Sequence, residues 1–207
     1  MHRGQLYAFF LLINMTMTLR DLVLKNRSYR RFDQSIQIEK NTLIEFIDLA
    51  RNSASGRNLQ TLKYFISNDK TLNAKIYPTL SWAGYLKEWD GPVEGERPSA
   101  YIVMVEDSTV GKNLVHDQGI AAQTMLLAAV EKGYGGCMIY TVKRKELAEI
   151  LNLPDNLEIV LVLALGVPVE KVVIEPLPAN GDIKYWRDQN QVHHVPKRAL
   201  KDIIINY

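Results

Sequence analysis

Apolar residues run without a break over 100–105 and again over 159–165, with β-branched positions in both, which predicts two strands buried on both faces, the second over 157–166. A shorter apolar run over 62–66 predicts a third strand. Between them the period changes to that of a helix. Over 117–132, Ile120, Ala121, Ala122, Met125, Leu126, Leu127, Ala128, Ala129 and Val130 cover most of a helical circumference, predicting a helix buried nearly all round. Gly133 supplies the left-handed residue that ends it, and the many alanines permit close approach by another helix. A second helix is predicted over 39–52, with Leu43, Ile44, Phe46, Ile47, Leu49 and Ala50 as a broad apolar face and Glu39 in its first turn. Shorter helices are expected over 19–25, 144–151 and 199–205.

Two segments resist this treatment. Residues 68–99 hold turn signals around Asp90-Gly91-Pro92 and Gly95, together with Tyr77, Trp82, Tyr85 and Trp89. So long an aromatic excursion is expected either as a lid over a ligand or as packing against another subunit. Beyond Pro168 an extended, partly polar arm over 183–195 carries Tyr185, Trp186, His193 and His194. Adjacent histidines on extended backbone face opposite ways, so they are expected to be satisfied or solvent-facing rather than a metal pair.

Length and composition narrow the class. With 207 residues, 47% apolar and 23% charged, the chain suits one well-buried domain, here expected over 17–207. A net charge of +2 gives no bulk attraction to nucleic acid, and no metal-ligand spacing occurs. The single cysteine, Cys137, fits a reducing, cytoplasmic setting and, among apolar neighbours, a structural role. The leader at 1–16 mimics a signal peptide, but its eight-residue apolar run is too short to span a bilayer. Met15 and Met17 offer alternative starts, so an over-extended start is favoured over a docked arm or an export signal.

The chemistry concentrates where charge does. Asn26-Arg27-Ser28-Tyr29-Arg30-Arg31 packs three guanidinium forks and a hydroxyl into one short stretch, a donor set that matches a phosphate or a conjugated carbonyl edge. In the loop over 53–60, Asn58 and Gln60 would face one side if the backbone were extended, and could read a uracil-like or flavin ring edge. Glycines 133, 135 and 136 let backbone pass close to something flat or bulky. A further basic pair, Lys197-Arg198, follows Pro196 near the C-terminus.

Taken in order, these landmarks resemble the FMN-dependent nitroreductase family. They are R-S-x-R, then S-x-x-N-x-Q about thirty residues on, then an alanine-rich helix ending in G-x-G-G-C, then L-A-L-G-V-P and P-K-R, together covering about 19–207. The resemblance implies an α+β, nitroreductase-like fold, with helices flanking a central, mostly antiparallel sheet. It also implies an intertwined homodimer that exchanges C-terminal arms, with FMN at the subunit interface. Carried over, Arg27 and Ser28 hold the FMN phosphate, Arg30 reaches the N1/O2 edge of the ring, and Lys197 and Arg198 complete the phosphate clamp. Asn58 and Gln60 bind the pyrimidine edge beside Ser55, and the backbone of Gly136, Cys137, Met138 and Ile139 lies near N5. The chain departs from the family pattern at Asn26, at Ala54 and in the Met-Ile-Tyr-Thr run after Cys137.

The implied activity passes reducing equivalents from NAD(P)H through FMN to a nitroaromatic, quinone or similar acceptor, the flavin carrying the chemistry with no catalytic side chain required. Two flavin alternatives remain at this point: a storage or sensing module, and a related enzyme that dehalogenates or destroys flavin. An RNA-binding role for the arginines is the third, opposed by the acidic residues between the basic clusters. The expected partners are a second copy of the chain and a small acceptor, with neither nucleic acid nor membrane.

Overall fold

The two longest apolar runs pair with each other. β3 (Ala100–Asp107) lies antiparallel to β5 (Leu157–Pro168), Ala100 opposite Leu165 and Asp107 opposite Leu157, with a register shift between Met104 and Val105. The computed structural model describes residues 17–111 and 116–206, so the leader and its possible roles lie outside the described residues. β2 (Leu62–Ser67) extends the sheet antiparallel to β3. Along the opposite edge of β5 run β4 (Gly135–Ile139) and the two-residue β1 (Phe32–Asp33), both antiparallel.

Because side chains alternate along a strand, each face of this sheet acquires its own core. Ile102, Met104, Leu163 and Leu165 face α2 (Lys40–Arg51) and α4 (Asp117–Glu131), meeting Leu43, Phe46, Met125 and Leu126. Tyr101, Val103, Val105 and Val162 turn the other way. They meet Ile76 from α3 (Lys70–Ile76), Leu147 from α5 (Arg144–Ile150) and Trp82. The sheet is thus flanked by helices, as expected, and among the described residues no helix is long and apolar enough to cross a membrane.

Several details differ from the sequence pattern. α4, expected to be buried nearly all round, buries Ala121, Ala122, Met125, Leu126, Ala128, Ala129 and Val130, and Gly133 ends it at a φ of +83°, yet Ile120 is exposed. α2 buries Leu43, Phe46 and Ala50, which share one helical stripe, whereas Ile44 and Leu49 lie off that stripe and face out. Glu39 is the extended N-cap of α2 and not part of its first turn. α1 (Leu19–Lys25) forms where expected, behind a Thr18–Asp21 capping box, and buries none of its residues. Residues 199–205 give only a 3₁₀ turn at Leu200–Asp202.

The aromatic excursion packs on its own protomer. Tyr77 and Trp82 stack with ring centres 5.9 Å apart, and the Arg97 guanidinium lies 4.3 Å over Tyr77. Tyr85 alone of the four aromatics is well exposed. After β5 the chain builds a small second sheet: β8 (His193–Lys197) is parallel to β6 (Val172–Pro176) and antiparallel to β7 (Trp186–Arg187). Pro196 is tolerated in β8 because β7 pairs only with His193 and His194, leaving no partner there for the missing N–H.

Candidate functional site

The arginine segment is fixed from three sides. Ser28 bridges Gly136 of β4, and the Tyr29 amide donates to the Gly136 carbonyl at 3.0 Å. The Tyr29 ring presses on Gly135 so closely that an added Cβ would lie 2.6 Å from both that ring and Pro168. At Gly136 a Cβ would meet the Ala164 carbonyl and Leu126, both at 2.7 Å. The flat, bulky group expected beside these glycines therefore includes the chain's own tyrosine.

Glu170, between β5 and β6, supplies the third support. Its carboxylate accepts from the amides of Arg30 and Arg31, and its other oxygen takes Arg187 of β7 at 2.9 Å. The side chains of Glu170 and Arg187 retain only 1% and 8% exposure, so this ion pair is buried. The arm thereby pins the backbone of the arginine segment.

The three guanidinium groups have different fates. Arg31 makes a two-point contact with Glu96, both N–O distances being 2.6 Å, and is structural. Arg27 donates to the Val23 carbonyl at 2.7 Å, and its Nε is buried without a partner. Arg30 donates to the Ser28 carbonyl at 3.2 Å, stands 4.9 Å over the Tyr185 ring and lies 3.4 Å from Nε2 of His193.

Arg27, Ser28, Arg30 and Lys197 line one cleft of about 340 Å³, with Asn26, Gln123, Met138, Tyr185 and His193. Among the described residues no carboxylate lines it, so its formally charged groups, Arg27, Arg30 and Lys197, are all cations. A neighbouring hollow of about 260 Å³ shares Arg30 and Met138 and is completed by 81–84 and by 137–141. Along the open edge of α4, Met138 also borders an apolar trough with Ile120 and Leu161. Volumes of this order suit a cofactor-sized ligand.

The structure thus brings Arg27, Ser28, Arg30, Met138 and Lys197 together and sets Cys137 and Ile139 in the adjoining hollow. Burial pushes the Cys137 thiol up, consistent with the structural role expected of it. Arg198 follows Lys197 but is exposed and does not line the cleft.

The loop residues lie elsewhere. Ser55 and Gln60 border a separate hollow of about 170 Å³ beside Asp117. There the Ser55 hydroxyl donates to Asp117 at 2.7 Å, and the Gly56 amide donates to the same carboxylate. The extended backbone expected for this loop is not found. Arg57, Asn58 and Gln60 all have φ between 52° and 56°, and the Gln60 amide group folds back to donate to the Asn58 carbonyl at 3.2 Å. Local side-chain bonds make this left-handed turn accessible to Asn and Gln.

Sequence reasoning passed over Glu170 and Arg187, and it named Tyr185 and His193 on the arm without placing them at the site. No motif marks them, since each acts through a contact across the fold. The His193–His194 alternation was legible: His193 turns inward to Arg30, and His194 turns out to Glu175, Asp188 and Trp186.

Residues 97–167 match the family model described as the Nitroreductase family. That stretch carries β3, α4, β4, α5 and nearly all of β5. No curated protein matches the sequence. Among solved structures, a nitroreductase family protein from Clostridium novyi is 24% identical, covers 73% of this chain and 87% of its own, and superposes with a TM-score of 0.60. An FMN-dependent nitroreductase from Clostridium difficile is 21% identical, with coverages of 72% and 87% and a TM-score of 0.59. A protein named as a candidate NADH dehydrogenase/NAD(P)H nitroreductase from Parabacteroides distasonis is 24% identical, with coverages of 76% and 89% and a TM-score of 0.59. The chain has the nitroreductase fold.

Proposed function

We propose that this chain of nitroreductase fold is an FMN-dependent oxidoreductase, taking electrons from NAD(P)H and giving them to a nitroaromatic, quinone or similar electron-poor acceptor. The observation that carries it is the acid-free cleft in which Arg27, Ser28 and Arg30, from the start of the fold, meet Lys197 from its end. The names of the structural neighbours, one FMN-dependent and one linked to NAD(P)H, support the same assignment.

The residues fit the cofactor. Arg27 and Lys197 provide cations for a dianionic phosphate, and the buried, unpartnered Nε of Arg27 is an unused donor in that wall. Arg30 stands where cleft and adjoining hollow meet, suited to the electron-rich edge of a ring spanning both. Once bound, FMN supplies the two-electron relay, and the protein supplies position, charge and a site from which water is displaced.

Ser55, Asn58 and Gln60 border no part of this cleft within one protomer, and we assign them to the FMN site of a second copy. Exposed apolar residues support that assembly: Leu19, Val23 and Leu24 on α1, Ile120 on α4, and Leu200, Ile203 and Ile205 beyond β8. The free terminal stretch is suited to reach across to the partner. Light scattering is expected to give twice the chain mass, and a monomer would remove this part of the proposal.

A fluorescence titration tests the cofactor site. FMN is expected to bind more tightly than riboflavin, which lacks the phosphate. Arg27→Gln and Lys197→Gln should each erase about 1.5–3 kcal/mol of that preference. Equal affinities for the two flavins in the wild-type protein would contradict the phosphate assignment.

A further inference from the structure

His193 is the buried titratable group in this cleft that the flavin assignment leaves without a role. Its side chain is almost completely enclosed, at 1% exposure. It is held between Arg30, 3.4 Å from Nε2, and the Tyr185 ring, whose centre lies 5.2 Å away. A guanidinium can only donate, so Nε2 is the acceptor of that contact and the ring proton sits on Nδ1. Nδ1 is buried with no partner.

The charges around it explain this state. Arg30 faces it from the segment before β1, Arg187 from β7 and His194 from its own strand. Arg27 and Lys197 line the same cleft. The nearby carboxylate, Glu170, is already engaged by Arg187 and by the amides of residues 30 and 31. Burial first, and then Arg30, Arg187 and His194, pull the imidazole down to about 4. Arg30 therefore rests against a neutral histidine.

We propose that His193 couples anion binding in this cleft to uptake of one proton, releasing Arg30 from Nε2 so that both cations turn to the anion. The inference deepens the assignment of an anionic cofactor to the Arg27–Lys197 cleft. The proton comes from solvent, and no electrons move. An anion beside Arg30 offsets the positive field that keeps His193 neutral, so the protonation midpoint rises in the complex. Since the bound form holds the proton more tightly than the free form, affinity increases as pH falls through the interval between the two midpoints.

Calorimetric titration of the full chain with FMN, and in parallel with inorganic phosphate, tests this between pH 5 and 7 in buffers of different ionisation enthalpy. His193→Gln keeps an acceptor for Arg30 and cannot titrate; His193→Phe removes both. The wild-type protein is expected to take up more protons per ligand than either variant, the excess approaching one toward pH 5. Its affinity relative to His193→Gln should rise as pH falls, by at most about tenfold per pH unit. Equal proton counts in wild type and His193→Gln would overturn the inference while leaving FMN binding intact. Phosphate binding with a His193-linked proton, but no FMN binding, would sustain it and sink the flavin assignment. Binding of neither probe would overturn both.

Discussion

Three arginines that look equivalent in sequence do three jobs, and the difference lies in what each meets across the fold. Arg31 finds Glu96, Arg30 finds His193 and Tyr185, and Arg27 turns back on the helix that precedes it. The segment itself was legible only in company: forked donors this dense match a phosphate, but it took the other landmarks along the chain to set them apart from a solvated turn. Its support was not, because Glu170 and Arg187 sit far along the chain among residues of ordinary pattern. That buried pair leads to a prediction. Arg187→Met keeps the bulk over Trp89, which the guanidinium now covers at 4.2 Å, but strands the Glu170 carboxylate. Denaturant unfolding should show a loss of about 3 kcal/mol or more. A loss below about 1 kcal/mol would mean that the amides of residues 30 and 31 satisfy Glu170 unaided.

At the scale of elements, long periodic stretches spoke clearly and short ones did not. β3, β5 and α4 follow from apolar runs or helical spacing, whereas β1 exists through a partner remote in sequence, and β7 is a two-residue strand too short for any period to announce. The same holds for β4, whose glycines announced a close approach but not what approached. Leu126 and the Ala164 carbonyl both lie within 2.7 Å of the place a Gly136 Cβ would occupy, and a carbonyl in a paired strand cannot move aside. Gly136→Ala is expected to cost about 2–3 kcal/mol in stability. It should also weaken FMN binding, since Tyr29 and Ser28 are hung on that residue. Unchanged stability would show that β4 can shift without cost, and the rigid backing assigned to the arginine segment would then be wrong.

For the whole molecule, the arrangement explains why composition was silent. A net charge of +2 conceals a cleft that no carboxylate of the described residues lines, because acidic residues are spent elsewhere: Glu96 on Arg31, Asp107 on Lys63, Glu45 on Lys132. Chain ends that are 170 residues apart in number, Arg27 and Lys197, meet only because β8 returns along β6 beside the arginine segment. The aromatic excursion is docked on the core and borders the adjoining hollow through residues 81–84, with Tyr85 reaching Tyr185 at 5.0 Å between ring centres. What the molecule offers is a cleft whose charged groups are cations, next to a second hollow that shares Arg30 and Met138, and the proposed function places a phosphate-bearing ring and a small acceptor there in turn. The most direct test is the visible spectrum of FMN-loaded protein before and after NADH or NADPH is added without oxygen. Loss of the flavin band on addition, and its return when a quinone follows, is the predicted result. A flavin band that neither reductant bleaches would contradict the oxidoreductase and leave only a flavin-binding protein.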